Sequence, residues 1–252
     1  MPKPVIIAGA GIIGCLLGHV LKKHSIPFKI LEKSTEFKKI PYRTVALTKE
    51  SIHFLNSIEK SLDLNKWTTP VSKMELYHKN ELGIVLDSNT EEKVTSIGLL
   101  SDLHKKLLKR VKNEIIWNSS ITEIINKDKV IVKTLDKDFA TEFIFATDGA
   151  NSKVRELCDF ESEEWFYGQK AYVTCIKAQH NNIAKQYFTP NGTLALLPLN
   201  DKEEFYSIIF CTNSTGDVLQ DLEDMNKAFD IRLDLSKVEL GLGFELKHSR
   251  AI

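Results

Sequence analysis

Three glycines, Gly9, Gly11 and Gly14, follow the β-branched run Val5–Ala8 and precede Cys15–Lys23, whose apolar residues recur at helical spacing. Placed between a strand and a helix, each glycine has its own use. The first turns the chain sharply, the second lets the backbone approach a pyrophosphate, and the third lets helix and strand pack closely. The helix start adds free N–H groups and the positive end of its dipole, both suited to phosphate. A second buried run, Phe28–Leu31, ends on Glu32. A carboxylate there accepts hydrogen bonds from an adenosine ribose and disfavours a 2′-phosphate. The bland alternatives are a glycine-rich turn and a solvated charge at a strand end. Strand, glycine turn, helix, strand and acid in this order favour a dinucleotide containing adenosine.

The second chemical segment is Phe143–Thr147, read as a buried strand, running into Asp148-Gly149 and then Asn151-Ser152-Lys153-Val154-Arg155. Taken alone, it could be a surface Asp-Gly turn with an Asn-Ser helix cap. At a strand-to-helix turn of this kind, packing demands on Asp148 are expected to be low. Other chemistries find no support. Cys15, Cys158, Cys175 and Cys211 form no CxxC pair, and the seven histidines form no HxxxH cluster, so a metal centre is not expected. A phosphate-binding P-loop is absent from the sequence. Lys+Arg and Asp+Glu both number 34, which gives no basic footprint for nucleic acid.

Positioning these residues requires a βαβ unit of about thirty residues, the crossover that parallel strands need. The remaining pattern predicts helices over Lys49–Glu59, Ser101–Lys112 (capped by Ser101) and Asp217–Phe229. Strands are predicted over Ile115–Trp117, Ile121–Ile125, Lys129–Leu135 and Thr141–Thr147, then Ala171–Ala178, Gln186–Thr189, Thr193–Leu197 and Phe205–Cys211. The 252 residues, 42% hydrophobic and 27% charged, suit one large domain or two small ones with a sizeable core. The predicted class is α/β, a Rossmann-like nucleotide-binding domain joined to a mostly antiparallel sheet. Isolated cysteines suit a reducing, cytoplasmic setting. No run reaches the roughly 18 apolar residues of a membrane helix.

The Asp148–Arg155 segment resembles the "ADGxxSxVR" motif of the class A flavoprotein monooxygenases, whose fold is typified by para-hydroxybenzoate hydroxylase. Further strings narrow the likeness. Tyr42–Thr48 resembles the "RxxAL(S/T)" segment of the ubiquinone-biosynthesis hydroxylases. Phe166–Ala171 resembles their "YGQxA" entry, and Phe188–Leu199 their "FTPxGPLALLPL" segment, with Thr193 in place of the usual proline. The resemblance runs from Val5 to about Leu246. It implies an FAD-binding domain over 1–165, with an excursion into the substrate sheet near 68–98, and a substrate-domain sheet and helix over 166–252.

It also implies FAD as cofactor, NAD(P)H as reductant and O₂ as co-substrate, with a polyprenylated phenol of ubiquinone biosynthesis as the substrate to be hydroxylated. The flavin then carries the chemistry, and no protein side chain is expected to be catalytic. Gly9, Gly11, Gly14 and Glu32 would hold the cofactor. Arg43 would supply a cation near the pyrophosphate, and Asp148-Gly149 would lie between flavin phosphate and reductant. Asp102 is a weak further candidate, and Leu194–Leu197 a candidate wall for the phenol, with core packing the expected use of most of that strand. The resemblance adds peripheral attachment to an inner membrane, or to other quinone-biosynthesis enzymes.

Two departures stand out. Ile97–Asp102 aligns poorly with the family's "LGYVVEN" segment, so a flavin contact there has no firm counterpart. The second is larger. The family's later Gly-Asp-Ala-Ala-His motif has no counterpart, since Gly216-Asp217 merely opens an acidic helix. The expectation is therefore a member truncated at its C-terminal side. Two alternatives stay open: a non-catalytic flavin-binding remnant, and an NAD-binding dehydrogenase using only the first βαβ unit.

Overall fold

The computed structural model describes residues 3–37, 42–78, 81–87, 93–127, 129–190, 192–199, 205–236, 238, 240–241 and 243–252. Asn191, within the segment likened to "FTPxGPLALLPL", lies outside them. Val5–Ala8 sits inside a four-stranded parallel sheet, between Ile144–Ala146 and Phe28–Leu31, with Ile115–Ile116 beyond. The crossover is the helix Ile12–Lys23. Successive side chains of a strand point to opposite faces, so Ile6 and Ile7 part company. Ile7 packs with Cys15, Phe28 and Ile30 against Leu103, Leu107 and Val111 of the helix Leu100–Val111. Ile6 and Leu31 meet Val132, on a three-stranded antiparallel sheet that covers the other face. This sheet comprises Ile121–Asn126, Val130–Thr134 and Asp138–Thr141.

A seven-stranded sheet forms the other half. Its order is Phe244–Ala251, Ser162–Lys177, Phe205–Thr212, Gly192–Leu199, Ile183–Thr189, Lys73–His78, Glu81–Asp87. All neighbours are antiparallel except Ile183–Thr189 with Lys73–His78, which run parallel. One face packs on the helix Val218–Ala228, with Leu222 and Met225 against Tyr187, Leu194, Ile208 and Phe210. Asp217 caps that helix, its carboxylate accepting from the Leu219 and Gln220 N–H groups. The other face meets a small antiparallel sheet of Thr44–Leu47, Thr95–Leu99 and Thr69–Val71 through Val71, Ile97, Ala184 and Leu199. The α/β class and the mostly antiparallel second sheet are as the sequence predicts. No helix among the described residues is long and apolar enough to cross a membrane.

Four local readings need correction. The single strand expected over Thr141–Thr147 is two, Asp138–Thr141 and Ile144–Ala146, in different sheets. The Thr141 hydroxyl breaks the run, donating to the Pro4 carbonyl at 2.8 Å and accepting from the Phe143 N–H at 3.2 Å. The second piece is an edge strand rather than a buried one, with Phe143 60% and Phe145 42% exposed. Ser101 caps nothing. The helix starts at Leu100, and the buried Ser101 hydroxyl finds no partner among the described residues. Leu194 and Leu196 face the helix Val218–Ala228 as core, so they form no substrate wall.

Candidate functional site

The glycine turn shows which of its members serve the fold. Gly9 has φ +95°, and a Cβ there would stand 2.8 Å from both Asp148 Cα and the Thr147 carbonyl oxygen. At Gly14 a Cβ would come within 2.0 Å of the Gly9 carbonyl oxygen. Neither position has room for any side chain. Gly11 differs. Its φ is an ordinary −68°, and the nearest atom to an added Cβ is the Thr147 carbonyl oxygen at 4.0 Å. The space beside Gly11 is open, and it belongs to a cleft.

That cleft has a volume of about 510 Å³ and lies across the carboxyl ends of the parallel strands. Gly9, Gly11, Glu32, Asp148 and Gly149 all line it, with Lys33, Ser119, Ser120, Thr147, Asn151 and Lys153. Gly14 stands behind the turn. The helix Ile12–Lys23 starts at the cleft, and no side chain among the described residues caps its first N–H groups. These are orphan donors at the positive end of a helix dipole, the arrangement that receives a phosphate.

Glu32 accepts from the Ala10 N–H through Oε2 at 2.8 Å and from the Ser34 N–H through Oε1 at 2.9 Å. A carboxylate offers about four lone-pair sites, so two remain for a ligand. Ala10 is held from its other side as well. Its carbonyl accepts from the Cys15 thiol at 3.3 Å and from a ring nitrogen of His104 at 2.6 Å. Burial, with a smaller contribution from the Glu32 charge, pushes the Cys15 thiol up to about 12. His104 comes from a distant helix and left no local trace in the sequence.

The Asp148 segment is knit into the same turn. Thr147 donates its N–H to the Ala8 carbonyl at 2.9 Å, and its hydroxyl lies 2.7 Å from that same oxygen. Gly149, at φ +89°, sits in the left-handed region that favours glycine, and an added Cβ there would meet nothing within 4 Å. Asp148 has an internal duty too. Its Oδ2 accepts from the Lys153 and Val154 N–H groups at 2.7 and 3.2 Å, and its Oδ1 accepts from the Ser152 hydroxyl. Ser152 caps the helix Lys153–Leu157 by accepting from the Arg155 N–H. Arg155 closes the loop by donating to the Ala150 carbonyl at 2.8 Å.

Arg43 is not brought to this cleft. Its guanidinium carbon lies 5.9 Å from the centre of the Phe244 ring, and its carbonyl accepts from the Leu100 N–H. A second cavity, about 710 Å³, opens where the small antiparallel sheet meets the seven-stranded one. Tyr42, Trp67, Thr68, Leu99, Asp102, Cys175, Leu199 and Phe205 line it. Asp102 therefore belongs to this cavity. Burial pushes the Cys175 thiol up to about 11, which keeps it protonated and inert.

The cleft has the parts that the adenosine and pyrophosphate portion of FAD requires: free acceptors on Glu32, uncapped helix N–H groups, and open space over Gly11. The comparisons agree. Residues 3–229 match a family model described as FAD binding domain. A ubiquinone biosynthesis monooxygenase COQ6 of Drosophila melanogaster is 27% identical over 265 residues, covering 89% of this chain and 54% of its own length. The 3-demethoxyubiquinol 3-hydroxylase of Escherichia coli is 21% identical over 254 residues, covering 90% and 61%. The chain thus spans about half the length of the animal relatives it matches. Among solved structures, 2-methyl-3-hydroxypyridine-5-carboxylic acid oxygenase superposes with a TM-score of 0.80 at 17% identity, over 99% of this chain and 71% of that one. PqsL, a probable FAD-dependent monooxygenase from Pseudomonas aeruginosa, gives 0.72 at 16% identity, over 84% and 61%. The motif likeness to ubiquinone-biosynthesis hydroxylases and the fold expected from it are both borne out.

Proposed function

The chain belongs to the FAD binding domain family, and from that premise we propose that it holds FAD as part of a monooxygenase that hydroxylates a polyprenylated phenol. Gly9 and Gly14 shape the turn, Gly11 admits the pyrophosphate, and the uncapped N–H groups of Ile12–Lys23 bind it. Glu32 accepts from the adenosine ribose. Asp148 holds the start of Lys153–Leu157, so that Gly149 and the following N–H groups face the cofactor's phosphate side. Arg43 stacks at Phe244, away from these groups, and takes no phosphate in this reading. When bound, FAD supplies the redox chemistry, reduced by NAD(P)H and reacting with O₂.

The substrate place is the second cavity. Trp67, Leu99, Leu199 and Phe205 give it apolar walls, and Tyr42, Asp102, Asn65, Lys66 and the two threonines Thr68 and Thr69 add polar groups. An apolar pocket with a few convergent polar groups suits an aromatic ring with a hydroxyl. Its walls also shield the reacting atoms from water. In this reading residues 1–165, with the excursion near 68–98, carry the cofactor and 166–252 carry the substrate sheet. Peripheral attachment to a quinone-bearing membrane belongs to the same proposal.

The open space over Gly11, which no described part of the chain fills, is the observation that carries the reading. Its test is titration of the purified chain with FAD and, separately, with NAD⁺, followed by absorbance and calorimetry. Saturable FAD binding with a flavin spectrum is expected. Binding of NAD⁺ with no FAD retained overturns the reading in favour of a dehydrogenase, and binding of neither overturns it in favour of a decayed chain that holds no cofactor.

A further inference from the structure

Gly98 lies inside the strand Thr95–Leu99, paired with Val45 of Thr44–Leu47. Glycine weakens a strand interior and there marks a close approach by another group. Here the group is an indole. A Cβ at position 98 would stand 2.6 Å from Cζ3 and 3.0 Å from Cε3 of Trp67, and 3.0 Å from Cγ2 of Thr68. The backbone conformation makes no demand for glycine, and these two neighbours are the nearest obstacle to a side chain. Both line the second cavity, whereas Gly98 lies behind them.

The ring has little freedom to yield elsewhere. Its N–H donates to the Leu62 carbonyl at 3.0 Å, and its inner side packs on the core containing Leu62 and Leu64. Lys106 places its ammonium 5.9 Å from the ring centre. A methyl group at 98 therefore requires Trp67 and Thr68 to shift, and both border the cavity. We propose that Gly98 and Trp67 together set the depth of the second cavity, and so the largest aromatic substrate it admits. Gly98 acts through Trp67 and touches no substrate itself. The inference rests on the reading of that cavity as the substrate place.

The test uses direct binding, independent of turnover. The purified chain and its Gly98→Ala, Trp67→Phe and double variants are titrated calorimetrically with para-alkylphenols, from cresol to nonylphenol. A difference of one methylene in an apolar pocket discriminates by roughly 10–200-fold. Gly98→Ala should bind cresol within about twofold of wild type yet lose about tenfold or more for the longest member. Trp67→Phe alone should move the cut-off to longer members, and the double variant should restore the wild-type profile. An unchanged length profile in both single variants overturns the proposal while leaving the pocket reading intact. No binding of any alkylphenol by the wild-type chain overturns the pocket reading and this proposal with it. Should Gly98→Ala fail to fold, Trp67→Phe still decides, since an unshifted cut-off there contradicts the assignment.

Discussion

The glycine turn and the Asp148 segment pack side by side at one cleft, yet they are built on opposite terms. In the turn, duties are divided: Gly9 and Gly14 are required by neighbouring backbone, while Gly11 answers to nothing among the described residues. In the Asp148 segment, duties are stacked on single residues. Three of the about four acceptor sites of Asp148 serve Ser152, Lys153 and Val154, and Arg155 donates to Ala150. A residue with no internal partner reports on a ligand, whereas a residue engaged mostly inside the fold reports on the fold first. Substitutions in the two regions should therefore separate folding from cofactor binding to different degrees.

The largest effect is expected at Gly14→Ala. A Cβ placed 2.0 Å from a backbone oxygen cannot be relieved by a rotamer change. Overpacking costs about 1–3 kcal/mol, and rigid backbone places this case at the upper end or beyond. Thermal unfolding should show a drop of several degrees, with flavin lost as a consequence. A wild-type melting temperature would mean that the turn is looser than its geometry.

Glu32→Gln should come next, and it should act mainly on binding. One charge-assisted hydrogen bond contributes roughly 1.5–3 kcal/mol, which is about tenfold to a hundredfold in affinity for FAD. The amide oxygen of the substituted side chain can still accept from Ala10 or Ser34 but not from both in this geometry, so stability should fall by about one hydrogen bond, roughly 1 kcal/mol. Flavin titration checks the first part and calorimetry the second.

Asp148 gives the smallest and least separable effect. Asp148→Ala removes the acceptor for two helix N–H groups, a loss of about 1 kcal/mol typical of capping residues. It should lower stability and flavin affinity together. Asp148→Asn keeps an acceptor and should recover most of the stability. If it also recovers flavin affinity, the charge at this position has no part in the site. The low packing demand expected of a strand-to-helix turn does not hold here, because three hydrogen bonds converge on this carboxylate.

How much of this was legible depended on whether a residue's job is local. Val5–Ala8, the glycine turn and Glu32 lie within one βαβ unit, and sequence order alone places them together. The break between Asp138–Thr141 and Ile144–Ala146 was invisible, because no glycine or proline marks it. A hydroxyl contact with Pro4, remote in sequence and adjacent in space, makes the break. His104 reaches the Ala10 carbonyl from a helix far along the chain, and no spacing rule links them. Arg43 matched a motif by letter, but its side chain is drawn to Phe244 by a cation–aromatic contact. The second cavity was the least legible part. Its walls come from short segments scattered over two sheets, a helix and the turns between them. No strand is predicted over Thr95–Leu99, so the glycine that seats Trp67 has no element in which to be read.

The central claim is that the space over Gly11 is kept for the pyrophosphate of FAD, and Gly11→Val tests it most directly. Outside its chain neighbours an added Cβ meets no described protein atom nearer than 4.0 Å, so the variant should fold, with about 1 kcal/mol lost from replacing glycine at a helix N-cap. Flavin content and melting temperature are measured on the same sample. A melting temperature within about 4 °C of wild type and no retained flavin are expected. Stoichiometric flavin in a folded Gly11→Val chain would contradict the claim.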